Sequence, residues 1–227
     1  MSNARVATTG RMPLDRQQIL TAAVELADES GFGAVTMRSL AARLGVKPMA
    51  LYHYAANKRE IVDGMVDAVF AEIDLPSPEL AWRPAMRQRA VSTRSVLARH
   101  PWATPLMPAR QHPGPATLRH LDCVIAVLRR GGFSVSDTAH AYSLLDSYVY
   151  GFVLEESSPF DDVSVLPDPV TALAQLIPRD TYPSLHEFTF AHVLHPDSAF
   201  ESEFEYGLDL ILDSLERLLT DDSAHRT

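Results

Sequence analysis

The chain has 227 residues, of which 46% are hydrophobic and 22% charged, so it is long enough for one or two domains with a sizeable core. It holds no apolar run of about 18 residues and no apolar stretch behind a basic start, which argues against a membrane-spanning helix and a secretory leader. Cys123 is the sole cysteine and can form no internal disulfide, which fits a reducing, cytoplasmic setting. The net charge of −9 hides an asymmetry: residues 1–60 carry 8 Lys+Arg against 5 Asp+Glu, and the remainder carries 12 against 24. A basic head can dwell on phosphates while an acidic body is repelled from them.

Residues 1–13 lack apolar periodicity and read as a flexible tail, with Arg5 and Arg11 available as a basic arm. Residues 15–31 then form an amphipathic helix, with Ile19, Ala22, Ala23, Leu26 and Ala27 on one stripe and Gly31 at its end. The next stretch, 36–54, predicts two short helices joined by a tight turn. Thr36 is a good N-cap, Leu40, Ala41 and Leu44 share a face, and Gly45 suits the helix-ending position. Pro48 restarts a helix, and Leu51 and Tyr54 turn inward. That leaves Lys47, Met49, Ala50, Tyr52 and His53 at the start or outer face of the second helix. One helix bracing another that presents its N-terminal residues outward is the arrangement a helix-turn-helix needs to enter a major groove. Short apolar helices around a glycine also occur in ordinary helical hairpins; the flanking elements favour the DNA-binding reading. Asn57 and Glu60 resemble a capping box opening a further helix.

Pro76 and Pro78 sit in a polar break, and the domain boundary is placed there: a head over 14–75 and a body over 76–227. Residues 82–100 predict a helix with Trp82, Met86, Ala90 and Leu97 near one face, and Arg83, Arg87 and Arg94 on another. The proline-rich segment 101–115 allows a helical turn around 104–107. A helix over 116–130 follows, with Leu118, Leu121, Ile125 and Leu128 inward. The next runs to about Glu156 from a cap at Ser136 or Asp137. Residues 170–195 hold short, irregular helices, and 198–219 a long one with Phe204, Leu208, Ile211, Leu212, Leu215 and Leu219 on one stripe. The expected fold is all-α.

The residues Ile19-Leu20-Thr21-Ala22-Ala23, Gly31-Phe32, Val35-Thr36-Met37-Arg38, Leu40-Ala41, Leu44-Gly45-Val46, Leu51-Tyr52-His53-Tyr54 and Asn57-Lys58 resemble the TetR family of bacterial repressors. A weaker likeness to its tetracycline-repressor branch runs to the C-terminus. It rests on Gly132-Phe133-Ser134, on residues 151–155 and on residues 204–211. The resemblance implies that Thr36, Arg38, Lys47, Pro48, Met49, Ala50, Tyr52, His53 and Lys58 contact double-stranded operator DNA. Their chemistry agrees, since Arg38 and Lys58 can neutralise phosphates, Tyr52 and His53 can donate to them, and Met49 and Ala50 suit a thymine methyl. It further implies a homodimer through residues 137–156 and 198–219, with Leu145, Leu208, Ile211, Leu212 and Leu215 in the interface.

For a small-molecule effector, the expected lining is Arg89, Thr93, Trp102, Met107, His112, Tyr148, Phe152 and Glu155, with Tyr142 on the same helix as the last three. In the tetracycline branch a magnesium ion accompanies the drug, held partly by a His and a Glu. Here Glu155 matches, but the His position falls near Pro108, with His112 out of register. Asp74, Arg89 and Thr93 differ in type from the branch's polar positions. No cofactor or metal is therefore expected. His186, His192 and His195 lie close in sequence, but His186-Glu187 lacks the second His of a zinc-protease motif, which would fall at Phe190. No catalytic signature is present: there is no phosphate-cradling glycine loop and no nucleophile elbow. The expected function is a ligand-responsive transcriptional regulator, a repressor released from its operator by a small molecule. The alternative is a helical enzyme or carrier that retains a helix-turn-helix as scaffold.

Overall fold

The computed structural model describes residues 14–108, 112–157, 169–193 and 200–224; the basic arm at Arg5 and Arg11, and His195, lie outside them. Among the described residues every regular element is helical. In the head, α1 (Arg16–Ser30) opens on a reciprocal cap: Gln18 N donates to the Asp15 carboxylate at 2.8 Å, and Asp15 N donates to the Gln18 side chain at 3.1 Å. Thr36 caps α2 (Met37–Leu44) by accepting Ser39 N at 3.0 Å. Gly45 ends α2 at φ 63°, in the left-handed region that other residues enter at a cost. Then come α3 (Pro48–Leu51), with Pro48 in its first turn, and α4 (Lys58–Glu72). Asn57 caps α4 through Glu60 N at 3.1 Å, but the Glu60 carboxylate reaches Ala56 N at 2.9 Å rather than the cap's own N–H, so the expected box is only half formed.

Ile19, Ala23, Leu40, Ala41, Leu51, Ile61 and Met65 make the head's core. Arg43 locks α2 onto α1, with Nη1 at 2.6 Å from Glu29 and Nη2 at 3.0 Å from Glu25. The hydrogen bond from Arg43 holds the Glu29 carboxyl below its ordinary range.

The body is built by α5 (Trp82–Arg99), a 3-10 turn (Pro101–Leu106), α6 (Pro115–Arg130), α7 (Val135–Glu156), α8 (Pro169–Leu176), α9 (Pro183–Phe188) and α10 (Phe200–Ala224). Met86, Val124, Leu128, Phe133, Leu145, Val149, Phe204, Leu208 and Leu212 form a second core where α5, α6, α7 and α10 meet. Trp82 stands edge-on to Phe133, with ring centroids 4.9 Å apart. Two arginines on the other face of α5 tie α10 down, Arg83 to Asp213 at 2.6 Å and Glu216 at 3.2 Å, and Arg87 to Glu205 at 3.2 Å and to Asp209, while Arg94 pairs with Glu156 of α7 at 2.6 Å.

Three expectations change here. The cap of α7 is Ser134, whose hydroxyl accepts Asp137 N at 3.0 Å, rather than Ser136 or Asp137. In α6, Leu118 and Ile125 face outward, and the buried face is Thr117, His120, Val124, Val127 and Leu128. Counting only apolar residues selected a face rotated away from the one that carries Thr117 and His120. Finally, Leu145, Leu208, Leu212 and Leu215 are buried inside one protomer, so they cannot also form an exposed dimer face. The α10 stripe is consumed by α5 and α7. Of the named residues only Ile211 remains partly open, while Leu144 and Leu154 of α7 and Leu210 and Leu218 of α10 are exposed.

Head and body are joined by half-buried and exposed polar contacts. Asp28 of α1 accepts Trp102 Nε1 at 2.6 Å and lies 2.8 Å from His100 Nδ1. Glu72 of α4 lies 3.2 Å from His100 Nε2 and accepts Arg99 at 2.7 Å. Asp67 of α4 caps α6 by accepting the backbone N–H of Thr117 at 2.8 Å and of Ala116 at 3.3 Å. A carboxylate at a helix N-terminus is favoured by the unpaired amides and the dipole together.

Candidate nucleic-acid interface and effector cavity

The helix-turn-helix places its polar and apolar candidates outward on one buried anchor. Leu51 is buried, while Thr36, Arg38, Lys47, Pro48, Met49, Tyr52, His53 and Lys58 are exposed and Ala50 is half-buried. Met49 is 73% exposed. The helical part of this element is short, since α3 ends at Leu51 and the chain continues as a turn through Tyr54. Lys58 Nζ stands 5.1 Å above the Phe32 ring, and Phe32 in turn stacks on Trp102 at 6.3 Å. The Lys58 ammonium is thus steered by an aromatic face at the start of α4.

In the body a cavity of about 400 Å³ opens between α4, α6, α7 and the segment after the 3-10 turn. Phe70 comes from α4, Met107 and Pro108 from that segment, Thr117, Leu118, His120 and Leu121 from α6, and Tyr142, Ser143, Asp146, Ser147 and Tyr150 from α7. Apolar and aromatic walls with a few convergent polar groups describe a small-molecule site.

Its polar corner is a buried network. Arg89 donates through Nε to His120 Nε2 at 3.1 Å and through Nη2 to Asp146 Oδ1. Tyr150 donates its hydroxyl to Asp146 Oδ2 at 3.3 Å, and the Thr93 hydroxyl donates to Arg89 O at 2.8 Å. Guanidinium nitrogens only donate, so His120 accepts at Nε2 and carries a proton on Nδ1. Burial pulls the Arg89 guanidinium down more than any single neighbour raises it, but the charge and hydrogen bond of Asp146 together with Tyr150 and Tyr142 outweigh it, and the net displacement is upward.

The residues expected around an effector divide among several places. Met107 lines the cavity, and Arg89 and Thr93 lie behind its wall. Trp102 belongs to the junction with Asp28. His112 is exposed, 3.7 Å from Asp63. Tyr148 donates to Phe204 O at 2.9 Å and packs with Phe152 against the Phe204 ring, which places both on the α10 side of α7. Glu155 is exposed and lines no part of this cavity.

Sequence reading passed over His120, Asp146 and Tyr150. The signal for two of them is present, because Tyr142, Asp146 and Tyr150 recur every fourth residue and so share a helix face.

Of the candidate metal histidines, His186 Nδ1 lies 3.0 Å from Ile177 O and His192 lies 3.5 Å from Glu203. Among the described residues no three His, Cys, Asp or Glu side chains converge on a metal position. No described helix is long and apolar enough to cross a membrane.

This geometry has close parallels. The model of bacterial regulatory proteins, tetR family, matches residues 19–65, and the tetracyclin repressor-like, C-terminal domain matches residues 75–219. The HTH-type transcriptional repressor DrrR1 of Streptomyces coeruleorubidus is 30% identical over 93% of this chain and 83% of its own length. Tetracycline repressor protein class D of Escherichia coli is 29% identical over 91% of each chain. Among solved structures, the Streptomyces coelicolor TetR family protein ActR in complex with (S)-DNPA superposes with a TM-score of 0.77 at 25% identity, covering 91% of this chain and 99% of that one. The chain therefore belongs to the tetR family of bacterial regulatory proteins and is a DNA-binding, ligand-responsive transcriptional regulator with a tetracycline-repressor-like C-terminal domain.

Proposed function

We propose that this regulator is a cytoplasmic homodimeric repressor, and that a small molecule in the cavity at Phe70, His120 and Asp146 releases it from its operator without a metal cofactor. The observation that carries the reading is the course of α4. Phe70 lines the cavity and Lys58 stands at the DNA face of the same helix, about 18 Å apart along its axis. Asp67, between them, caps α6, whose Thr117 and His120 also line the cavity. A ligand that shifts α6 thereby tilts α4 and the recognition element it supports. The ligand lowers operator affinity only to the extent that it prefers the conformer in which the paired recognition helices no longer match successive major grooves.

In this reading residues 14–75 act as the DNA-binding unit and 76–227 as the effector-binding and dimerisation unit, with α4 shared between their cores. Thr36, Arg38, Lys47, Pro48, Met49, Ala50, Tyr52, His53 and Lys58 face DNA. Dimerisation uses the exposed apolar side of α7 and α10, namely Leu144, Leu154, Leu210 and Leu218 with Ile211. Selection from random duplexes tests the DNA reading, and a near-palindrome with half-sites about one helical turn apart is expected. No enriched sequence, with affinity for duplex indifferent to Tyr52→Ala and Lys58→Ala, would overturn it. Light scattering tests the dimer: Leu210→Glu with Leu218→Glu gives monomers, because each buries an unpaired charge against its symmetry mate.

A further inference from the structure

The Phe32 ring beneath Lys58 is itself held from the body. Phe32 opens a 3-10 element, Phe32–Ala34, that follows α1 without a side-chain cap. It stands between Gly31, at φ 79°, and Gly33, and a β-carbon at either glycine would meet nothing within 4 Å. Glycine on both sides leaves the backbone able to reorient, so the local chain does little to fix the ring. Trp102 supplies what the local chain lacks. It is 8% exposed, and its Nε1 donates to Asp28 at 2.6 Å. Its ring lies 11° from the plane of Phe32, with centroids 6.3 Å apart. Asp28 and Phe32 stand on either side of Gly31, where α1 ends, so one side chain of the body grips both flanks of that end.

A prepared surface matters more to a lysine than to an arginine. The ammonium rides on a flexible four-carbon stem and loses rotamer freedom when it meets a phosphate. A ring face that attracts the cation beforehand reduces that loss. Leu106, from the same 3-10 turn as Trp102, borders a groove of about 360 Å³ with Phe32, Lys58 and Val66, so the turn adjoins the lysine stem as well as the ring. Resting on the reading that Lys58 meets an operator phosphate, we propose that Trp102 is a positioning residue for DNA binding: from the body, it holds Phe32 as the platform that presents Lys58.

Lys47 and Lys58 are the only lysines of the chain. Reductive methylation of the full chain with isotope-labelled formaldehyde keeps their charge and gives each a side-chain signal by NMR. Lys58→Arg assigns the two. The Lys58 signal is expected upfield of the Lys47 signal, displaced by the ring current of Phe32, and Phe32→Leu abolishes the displacement. Trp102→Leu is expected to abolish most of it, and Trp102→Phe, which keeps a ring for the stack but no N–H for Asp28, to restore part. Trp82→Phe, in the second core, leaves it unchanged and controls for a general loss of packing. Affinity for a short mixed-sequence duplex at low salt gives a second readout, because phosphate contacts carry no sequence information. Trp102→Leu is expected to weaken it about threefold, and to add nothing once Lys58→Ala is present.

A Lys58 signal that is not displaced in wild type overturns the inference, as does a displacement that survives Trp102→Leu. If Trp102→Leu does not fold, by circular dichroism, Trp102→Phe decides: a displacement below that of wild type is expected, and one equal to it overturns the inference. A Trp102→Leu loss that adds in full to that of Lys58→Ala also overturns it, while leaving Lys58 a phosphate contact. Duplex affinity indifferent to Lys58→Ala removes the reading on which the inference rests, and both fall.

Discussion

The head and the body solve the problem of polar groups in opposite ways. Among the described residues, no buried polar or charged side chain lies before Arg89; Arg89, Thr93, His100, Thr104, Thr117, His120, Thr138, Asp146 and Thr189 all lie beyond the head. The head keeps its ionic groups on the surface, as in the Arg43–Glu29 fork, and its core is wholly apolar. An apolar core suffices for a part whose task is to hold a rigid surface against DNA. The body accepts the cost of burying charge, which apolar packing does not require, and it does so around the cavity. Buried polarity thus separates the body, with the proposed effector cavity, from the head, whose described polar side chains all lie outside its core.

The sharpest way to break this contrast is to remove one member of the buried pair. Arg89→Met leaves Asp146 uncompensated and should cost about 3–5 kcal/mol in urea unfolding, most of it recovered when Asp146→Leu is added. Recovery in the double variant would show that the pair serves binding rather than stability; failure to recover would give it a structural role. In the head, where packing does the corresponding work, Leu40→Ala should cost about 2–5 kcal/mol by creating a cavity in a fully buried site. A local device comes next: Thr36→Ala removes the cap of α2 and should lose about 1 kcal/mol.

At the proposed DNA face, Lys58→Ala should leave stability within about 0.5 kcal/mol and reduce the slope of log affinity against log salt by about one. The smallest effect concerns Glu72. Burial raises its carboxyl, but hydrogen bonds from Arg99 and His100 win and its pKa is lowered. The stability it contributes is present above the ordinary glutamate range and lost as pH falls through the lowered value. Exposure of its side chain keeps the effect small, and Glu72→Gln should flatten the acid limb of a plot of Tm against pH only slightly.

What the sequence made readable follows the same division. The caps at Thr36 and Asn57, the stop at Gly45 and the restart at Pro48 are local devices, each specified within four residues, and the structure contains them. The proposed effector cavity and its buried network draw on α4, α5, α6 and α7, and no local rule pairs Arg89 with His120 or Asp146 across that distance in sequence. Apolar periodicity also misdirected the reading of α6, where the buried face includes Thr117 and His120 and leaves Leu118 outside. For α10 the periodicity predicts a buried stripe, and within the chain α5 and α7 cover most of it. A stripe announces that something covers it, and does not say whether the cover is another helix of the same chain or a second copy. Tyr148 and Phe152 illustrate the same ambiguity, because aromatic residues on α7 can face either the cavity or α10, and these face α10.

The carboxylates at the junction bear on how such molecules can be recombined. Asp28, Asp67 and Glu72 all belong to the head, and all accept from donors in the body: Trp102, the first amides of α6, and Arg99. A head cut out near residue 75 and grafted onto another body carries three acceptors whose donors stayed behind. Such a chimera retains its sequence preference for DNA and loses its obedience to the effector, unless the recipient supplies an indole N–H, an open helix start and a guanidinium at the matching places. Head and body are therefore not interchangeable cassettes, and a functional graft has to be cut on the body side of those donors.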